Sequence, residues 1–455
     1  MDSQRNTAPE RDDAHRINLL DLERRLDRLK SSMHLAVIFG GDKSTSGSVI
    51  YQSHNTRAWK SYEAVANDIE SALRRLGFRH VEVMPEDMRL GDRLRRRGIH
   101  MGWLNTGGVQ GHNPVTHAPS MLEMLGLPYV GHDPLAATLL DNKHVFKRAA
   151  VCAGLPTARF MVSHRSRGLA PDFERAFERE FNGYGGPFVV KPVSGRASLH
   201  VHVVSDTQSL RDAVDEVQEI TQNAVLIEQY LPGREVCVAV SGPVIARNGQ
   251  IMRGGEPTVF SALERALMPG EQIFTSMDHR PITQARTKFL DGQCDAKLRD
   301  DLSRLARQTY LAFDLNSLIR LDLRADQRGE LHILEANPKP DLKAPSDACT
   351  SLICAGLGEI GLDYDDLIFS LLADRLDYLF TRRPETVRHL FELIETRTLF
   401  DFMQAPLASA DGASPVAASI AELKVAGLGA GRHGNEAGAD NSASPVARAR
   451  DANAA

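Results

Sequence analysis

Acidic, amide and guanidinium side chains alternate with apolar ones in two neighbouring stretches of the chain. The first stretch, 317–324, carries charged side chains at alternate positions, and the second, 331–338, brings a glutamate and an asparagine to the end of an apolar run. A polar turn that ends at Gly329 separates them. Alternation with a period of two predicts β-strands, and a short turn between two such stretches predicts a hairpin. We therefore expect these polar groups to lie on one two-stranded ribbon.

Four polar side chains of this hairpin are predicted to share one face, because side chains alternate across a strand. They are Arg320, Asp322, Glu335 and Asn337. Counting outward from the turn predicts Ala325 beside Glu330, Arg320 opposite Glu335 and Asp322 opposite Ile333. Oxygen ligands of this kind suit Mg²⁺, and the arginine can neutralise charge on a phosphoryl group in transfer. The alternative is an exposed hairpin whose charged face is only solvated.

Two lysines and a glycine loop indicate a site for phosphate groups. Lys191 lies near the end of an apolar strand predicted over 188–192, and the flexible residues 193–198 follow it. This pattern resembles a phosphate-covering loop with an ammonium group at its base, although a strand that meets a surface turn has the same pattern. Lys143 lies in a helix predicted over 133–153, where a lysine is normally solvated.

Two glutamates lie on either side of a break between strands. The apolar stretch 225–231 stops at a Pro-Gly pair, and alternation resumes over 235–240. Such a break exposes backbone groups that can contact the edge of an adenine ring. Glu228 and Glu235 can then hold the amino group and the ribose hydroxyls, although glutamates in such places are also common as surface residues.

A third lysine lies in a long segment without periodicity. Residues 268–293 carry several charges and little repeating apolar pattern, which predicts a mobile loop. Lys288 within this loop can reach a phosphate group when the loop closes over a site.

The first third of the chain alternates apolar runs with amphipathic ones, which predicts an α/β layer. In such layers ligands meet the carboxyl ends of the strands, which here means 40–48 and 105–113, although the glycines there also suit plain turns. The predicted elements of this layer are strands over 34–39, 81–83 and 101–105 and a helix over 61–76. Further helices are predicted over 17–33, 295–312, 364–375 and 386–403.

Composition limits the classes of function. The 455 residues leave room for about two to four domains, and a net charge of −5 argues against a nucleic-acid or membrane-surface partner. No stretch approaches a membrane span of ~18 apolar residues, and the polar residues 1–16 lack the apolar core of an export signal. Five scattered cysteines indicate reduced thiols, so we expect a cytoplasmic protein. The segment from residue 405 onward is rich in Ala, Gly, Ser and Asp, which predicts disorder.

The order of these signals is more specific than any one of them. A lysine on a helix, a strand-end lysine with a glycine loop, a glutamate-bearing strand crossing and an Asp/Glu/Asn hairpin follow one another within residues 34–380. This order resembles the ATP-grasp superfamily, and its detail over 320–340 resembles the D-alanine–D-alanine ligase family. The resemblance implies an α/β fold, α+β in the ATP-grasp part, with an N-terminal α/β pre-ATP-grasp domain and a two-part ATP-grasp domain.

The resemblance also implies where the domains begin and end. The expected divisions are an N-terminal extension with a helix (1–33), an α/β substrate domain (34–132), a central ATP-grasp lid (133–228), a C-terminal ATP-grasp subdomain with the metal site (229–385), and a helix with a disordered tail (386–455).

The same resemblance implies a role for each candidate residue except Lys288, whose role is expected from its place in the predicted mobile loop. The nucleotide would contact Lys143, Lys191 and Lys288 with its phosphates, Glu228 and the backbone of Gln229 and Leu231 with its adenine, and Glu235 with its ribose. Mg²⁺ or Mn²⁺ would be held by Asp322, Glu335 and Asn337. Catalysis would involve Arg320 and Lys191, with Ser351 at the site of the second amino acid.

The implied activity is that of an ATP-dependent carboxylate–amine ligase that joins two amino acids through an acyl phosphate, as in the synthesis of the peptidoglycan precursor dipeptide. The expected ligands are ATP, the divalent metal and small amino acids, and a homodimer is left open. Two alternatives remain: a ligase for a different amino acid or hydroxy acid pair, and a nucleotide-binding protein without turnover. The first alternative is kept because residues 42–48 lack the family's substrate-binding glutamate after the Gly-Gly pair, and 195–198 read Gly-Arg-Ala-Ser where the family has Gly-Ser-Ser.

Overall fold

The computed structural model describes residues 17–41, 62–111, 113–164, 173–195, 199–274, 282–290, 292–346 and 351–404. The predicted ligand loop at 42–48, residues 196–198 of the glycine loop and the tail from residue 405 lie outside the described residues. The chain divides into two units, Met1–Leu399 and Phe400–Ala455. The site described below lies in the first unit, and the described part of the second is the final turn of a helix.

The secondary structure confirms the mixed α/β class. The helices are α1 (Leu19–Leu29), α2 (Glu63–Arg75), α3 (Leu90–Arg96), α4 (His117–Leu125), α5 (Pro134–Asp141), α6 (Lys143–Cys152), α7 (Phe173–Phe181), α8 (Thr207–Thr221), α9 (Ala296–Ala312), α10 (Tyr364–Arg382) and α11 (Arg388–Gln404). The strands are β1 (His34–Gly40), β2 (His80–Glu86), β3 (Met101–Asn105), β4 (Tyr129–Val130), β5 (Phe160–Ser163), β6 (Phe188–Pro192), β7 (His202–Val204), β8 (Val225–Gln229), β9 (Glu235–Ser241), β10 (Val244–Arg247), β11 (Gln250–Arg253), β12 (Thr258–Arg265), β13 (Thr287–Phe289), β14 (Ile319–Ala325) and β15 (Leu331–Asn337).

The first sheet is parallel, with the strand order β2-β1-β3-β4. On β1, Leu35 and Val37 belong to the core on one face, while Ala36 and Ile38 belong to the core on the other. Both faces of this strand are therefore buried, which explains why its sequence is a continuous apolar run rather than an alternating one.

Helix α1 confirms the predicted N-terminal helix with shorter bounds. Leu22, Leu26 and Leu29 are buried because they recur every three or four residues on one face. Asn18 caps the helix by accepting a hydrogen bond from the backbone N–H of Leu20. Leu20, in contrast, lies on the opposite face of this helix and is 59% exposed.

The single helix predicted over 133–153 is wrong, because the chain forms two helices that meet at Asn142. This residue has an extended backbone (φ −88°, ψ 101°), and its side chain accepts a hydrogen bond from the N–H of Val145 at the start of α6. An asparagine in such a conformation is a typical N-cap, and it ends α5 while it begins α6. Lys143 is consequently the first residue of α6 rather than a residue in the middle of a helix.

A four-stranded antiparallel sheet, β5-β8-β6-β7, forms the lid, which is the name we give to residues 160–229. It has a core of its own, in which Phe181 and Phe188 pack edge to face with 5.2 Å between ring centroids. Helix α8 contributes Val214 and Val217 to the same core. Because this sheet packs around its own core, the lid forms one wall of a cleft.

The third large sheet, β13-β12-β9-β14-β15, is antiparallel and carries α9 on one face. Its central strand β9 is buried over its whole length. The predicted loop over 268–293 is in part wrong, because Thr287–Phe289 pairs with β12 as strand β13. Residues 275–281 of the same segment lie outside the described residues.

The hairpin of β14 and β15 is confirmed, but its predicted register is wrong. Ala325 pairs with Leu331 and Leu323 with Ile333, one residue away from the predicted pairing. A β-bulge at Leu334 then adds one residue to β15, so that Asp322 pairs directly with Glu335. Further along, Arg320 pairs with Asn337. The slip at the turn and the bulge add up to a shift of two residues, which is one period of a strand, so the four polar side chains share one face as predicted.

Helix α10 continues to Arg382, beyond its predicted end at Arg375, and is buried around most of its circumference. Its buried groups include polar ones, among them Asp374, whose carboxylate accepts a hydrogen bond from the N–H of Val244 (3.1 Å). Within the described part of the chain, no helix combines the length and the apolar character that crossing a membrane requires.

Candidate active site

A cleft between the lid and the third sheet contains most of the candidate residues. It encloses about 820 Å³ of space, part of it open to solvent. The predicted residues that line it are Lys143, Lys191, Glu228, Gln229, Leu231, Glu235, Asp322 and Glu335. They come from α6, from lid strands β6 and β8 and the segment after β8, and from β9, β14 and β15. The fold therefore gathers residues that are as much as 192 positions apart in the sequence, from 143 to 335.

Lys143 connects the two walls of the cleft. Its ammonium group donates to the carbonyl of Gly195 in the glycine loop (2.8 Å) and lies 3.2 Å from Oε2 of Glu335 on β15. Its backbone N–H, which the first turn of a helix leaves without an internal partner, donates to the carbonyl of Val193 (3.1 Å). The break at Asn142 is what allows this lysine to begin a helix and face the cleft.

A buried carboxylate between two ammonium groups forms the floor of the lid side. Glu228 is 2% exposed, its Oε1 lies 2.6 Å from Nζ of Lys147, and its Oε2 forms an ion pair with Lys191. Burial raises the pKa of Glu228, but Lys147 and Lys191 outweigh burial and hold this pKa below its usual value. Burial likewise lowers the pKa of Lys191, but Glu228 outweighs it and raises this pKa. Glu228 and Lys191 are therefore both charged at neutral pH.

Three arginines surround the acidic residues of the third sheet. Arg265, at the end of β12, lies 2.7 Å from Glu235 and 2.9 Å from Asp322. Arg320 binds Asp322 with two hydrogen bonds of 2.8 and 3.0 Å. Burial raises the pKa of Asp322, but Arg265 and Arg320 outweigh it and hold this pKa well below its usual range. Arg324 lies 3.3 Å from Glu235, so each carboxylate contacts two guanidinium groups.

The oxygen donors of the hairpin suit a hard divalent cation. Asp322 and Glu335 pair directly, both line the cleft, and Asn337 lies one alternate position further along the same face. Two carboxylates with an amide oxygen are a donor set that Mg²⁺ accepts, because it usually completes its shell with water and phosphate oxygens. Among the described residues, no group of three or more His, Cys, Asp or Glu side chains is arranged to hold a metal without such additional ligands.

One end of the cleft, where the adenine was predicted, is built from the end of β8 and the segment that follows it. Gln229, Tyr230 and Leu231 all line it. The N–H of Gln229 is already used, since it donates to the carbonyl of Arg159 (3.0 Å). The guanidinium of Arg324 lies over the ring of Tyr230, 4.7 Å from its centroid, and donates to its hydroxyl (3.0 Å). This stack gives the cleft a flat and rigid wall.

Two of the predicted residues do not line the cleft. Lys288 is 67% exposed on β13 and lies 4.0 Å from Glu264. Strand β13 is the outer strand of the sheet beyond β12, and Lys288 lies there, outside the lining that contains Lys143 and Lys191. Ser351 is fully buried, and its hydroxyl accepts a hydrogen bond from the N–H of Cys354 (3.1 Å), as expected of a residue that begins a short helical turn.

Two further predicted residues lie behind the lining rather than in it. Arg320 reaches the cleft through its paired hydrogen bonds to Asp322. The side-chain oxygen of Asn337 accepts a hydrogen bond from the N–H of Lys339 (3.0 Å), which fixes the end of β15.

Three charged residues of the site were not found from the sequence. Arg265 and Arg324 line the cleft, and Lys147 is buried beneath it. For Lys147 a signal existed, because it follows Lys143 by four residues and so lies on the same face of one helix. For Arg324 the alternation of β14 places it on the face of Arg320 and Asp322. Arg265 is the last residue of β12, and its place in the site follows only from the order of the strands in the sheet.

Comparison with known proteins identifies the family. Residues 150–373 match the family model described as D-ala D-ala ligase C-terminus. An uncharacterised protein, y4sG, of Sinorhizobium fredii is 30% identical over 258 residues, which cover 55% of this chain and 68% of the relative. The D-alanine–D-alanine ligase of Gloeobacter violaceus is 27% identical over 309 residues, which cover 68% of this chain and 92% of the relative.

Solved structures agree on the fold. The D-alanine–D-alanine ligase of Bacillus anthracis complexed with ATP superposes with a TM-score of 0.54 at 19% identity, and the match covers 76% of this chain and 98% of that one. The VanG D-Ala:D-Ser ligase of Enterococcus faecalis gives a TM-score of 0.53 at 18% identity, covering 75% and 99%. Together with the cleft and its charged residues, these matches show that the chain belongs to the D-alanine–D-alanine ligase family of ATP-grasp enzymes.

Proposed function

We propose that this chain is an ATP- and Mg²⁺-dependent ligase that joins the carboxylate of one amino acid to the amine of another, with D-alanine as the first substrate to test at both positions. One observation carries this proposal: a single cleft holds two lysines, a buried arginine and two facing carboxylates. Cations that face acidic oxygens across a gap are what a nucleotide triphosphate with its metal requires. The curated relatives named as D-alanine–D-alanine ligases supply the choice of substrate.

The proposed position of ATP follows from the charges that line the cleft. The adenine would lie against the segment Gln229–Leu231 and the ribose against Glu235. The phosphates would then extend past Lys191 and Lys143 toward the hairpin. Arg265, which now pairs with both acidic residues of the third sheet, would be the additional cation along that path.

Asp322, Glu335 and Asn337 would hold Mg²⁺ or Mn²⁺, and the metal would neutralise charge between the terminal phosphates. Asp322 now has Arg265 and Arg320 as partners and Glu335 has Lys143. Arg265 and Arg320 hold the pKa of Asp322 below its usual range, so this carboxylate is ionised, the state in which a carboxylate binds a metal.

The chemistry proceeds in two steps. A carboxylate is a poor electrophile because oxide is a poor leaving group, so its oxygen first attacks the γ-phosphorus of ATP, and the bond to the β-phosphate oxygen breaks. Lys143, Lys191 and Arg320 would stabilise the charge of the transferring group, and ADP and an acyl phosphate result. The uncharged amine of the second amino acid then attacks the acyl carbon, loses a proton and expels phosphate, which leaves an amide.

A ligase for another pair of substrates is the second candidate. The Gly-Arg-Ala-Ser sequence at 195–198 and the absence of a glutamate in 42–48 alter positions where the family binds amino acids. The solved VanG D-Ala:D-Ser ligase of Enterococcus faecalis has the same fold, so the fold is compatible with more than one second substrate.

The test is ADP release from purified protein with ATP, Mg²⁺ and a panel of D- and L-amino acids and hydroxy acids, followed by mass spectrometry of the products. We expect ADP release that depends on one or two compounds of the panel, with a product mass equal to the condensed pair. ATP hydrolysis that no panel member accelerates, together with intact nucleotide binding, would favour a nucleotide-binding protein without turnover.

Two further properties belong to the same proposal. We expect a cytoplasmic enzyme, because four described cysteines, Cys152, Cys237, Cys294 and Cys354, are free thiols. A homodimer is the assembly to test, and sedimentation at several protein concentrations measures it directly.

A further inference from the structure

Lys147 is a fully buried lysine whose ammonium group lies beneath the cleft rather than in it. It contacts Oε1 of Glu228 at 2.6 Å, donates to the hydroxyl of Thr157, and lies 3.4 Å from the carbonyl of Ile333. The hydroxyl of Thr157 donates in turn to the same carbonyl (2.7 Å). Lys147 thus connects α6, the lid strand β8 and the strand that carries Glu335.

A buried ammonium group is costly, and stability alone does not explain it. Desolvation of an ion costs several kcal/mol by general estimates, and apolar replacements of buried ion pairs are often neutral or stabilising. Glu228 also does not need Lys147 for neutrality, since Lys191 already forms an ion pair with its other oxygen. The second cation on this carboxylate is therefore an excess charge that the fold maintains.

The sum of the charges on this side of the cleft shows what the excess achieves. Two ammonium groups, Lys147 and Lys191, share the single buried carboxylate of Glu228, which leaves this cluster with a net charge of +1. Burial lowers the pKa of Lys147, while the carboxylate of Glu228 acts against this shift. Without Lys147 the same set is neutral. Lys191 would then be a complete ion pair with Glu228, and it would offer an approaching phosphate no net attraction.

We propose that Lys147 is a positioning residue for the phosphates of the nucleotide, an inference that rests on the proposed ATP-dependent function. It binds one oxygen of Glu228 from the protein side and so leaves the ammonium of Lys191 with an uncompensated positive charge toward the cleft. Its contact near Ile333 also fixes the lid strand relative to the strand of Glu335. Lys147 touches no substrate in this arrangement, and its charge acts on the nucleotide through Glu228 and Lys191.

The test compares ligands that share an adenosine but differ in charge. Binding of AMPPNP, ADP and adenosine is measured by calorimetry for the wild type and for Lys147→Met, a variant of similar length and shape. Because the lost interaction is electrostatic, we expect affinity to fall about tenfold or more for AMPPNP, several-fold for ADP and less than about twofold for adenosine. The loss for AMPPNP should shrink as salt concentration rises.

Two controls separate this role from a structural one. Arg148→Met removes a positive charge from the exposed neighbouring position of the same helix and should leave all three affinities unchanged. Lys147→Gln keeps hydrogen-bonding capacity without charge, and it should show the same graded loss if Lys147→Met does not fold. Equal losses for all three ligands, or none, would overturn the proposal. A wild type that binds no AMPPNP would instead overturn the proposed function itself.

Discussion

Arg265 and Asp322 face each other across the third sheet, with 2.9 Å between Nη1 of the arginine and Oδ2 of the aspartate. Both side chains are almost fully buried, at 8% and 4% exposure. Asp322→Asn would leave two buried guanidinium groups with only a neutral amide between them. We expect it to destabilise the protein by ~3–5 kcal/mol, since removing one partner of a buried ion pair leaves the other uncompensated. Urea unfolding measures this, and Asp300→Asn, an exposed aspartate on α9, should change little.

Glu335→Gln should separate catalysis from stability. The side chain of Glu335 is 30% exposed and lies 3.2 Å from the ammonium group of Lys143, so we expect a small change in unfolding midpoint. Turnover should fall ~100-fold or more, because a neutral amide would neither neutralise nor bind the metal as a carboxylate does. Amino-acid-dependent ADP release across a range of Mg²⁺ concentrations measures it.

The control for that variant is Glu330→Gln, an exposed glutamate in the turn of the same hairpin. We expect its turnover to match that of the wild type. If Glu335→Gln retained full turnover, the proposed metal ligands would be wrong.

Of the two basic residues Lys288 and Arg265 on this sheet, we expect only Arg265 to contribute to phosphate binding. Lys288 is largely exposed on β13, whereas Arg265 lines the cleft. We expect Lys288→Ala to change the affinity for AMPPNP by less than about twofold, as for most isolated surface charges. Arg265→Met should weaken the same binding substantially, in a calorimetric titration carried out at matched salt. A large loss from Lys288→Ala would restore the role that the sequence predicted for it.

Asp374 should make stability depend on pH. Burial, more than any other cause, raises the pKa of this carboxyl from its usual value to about 7. The folded protein therefore holds a proton that the unfolded chain releases, so stability is highest below the unfolded pKa and falls as pH rises toward 7. Asp374→Asn should remove this decline and make the variant more stable at pH 8 by on the order of 2–4 kcal/mol.

The difference between wild type and Asp374→Asn should vanish near pH 4, where both forms are uncharged at this position. Thermal unfolding at several pH values from 4 to 8 tests the slope. A constant difference across that range would mean that Asp374 does not titrate there.

The sequence predicted the strands of the site more accurately than the contacts of its side chains. The first and last residues of β6 and of β3 were predicted correctly, because runs and alternations of apolar residues are local signals. The division of α5 from α6 was missed, since Asn142 is compatible with a helix interior until its cap is seen. The sequence could place Lys191 near a phosphate loop, but not show that Glu228 would bind it.

Residues that reach the site through distant strands were the ones missed. Arg265 contacts Glu235 and Asp322 only because β9 lies between β12 and β14, and this order is a property of the whole sheet. The position of Lys288 could not be predicted for the same reason, because the pairing of β13 with β12 places this lysine on the outer strand of the sheet.

The bulge at Leu334, one extra residue in β15, decides which face of the sheet Glu335 occupies. In a regular ribbon, Glu335 would pair with Leu321 and its carboxylate would point into the apolar core on the far side. Deleting Leu334 would instead straighten the ribbon and leave Glu335 opposite Asp322, so the bulge is what accommodates the one extra residue between Ile333 and Glu335. An irregularity of one residue is what keeps two oxygen donors within reach of the same ion.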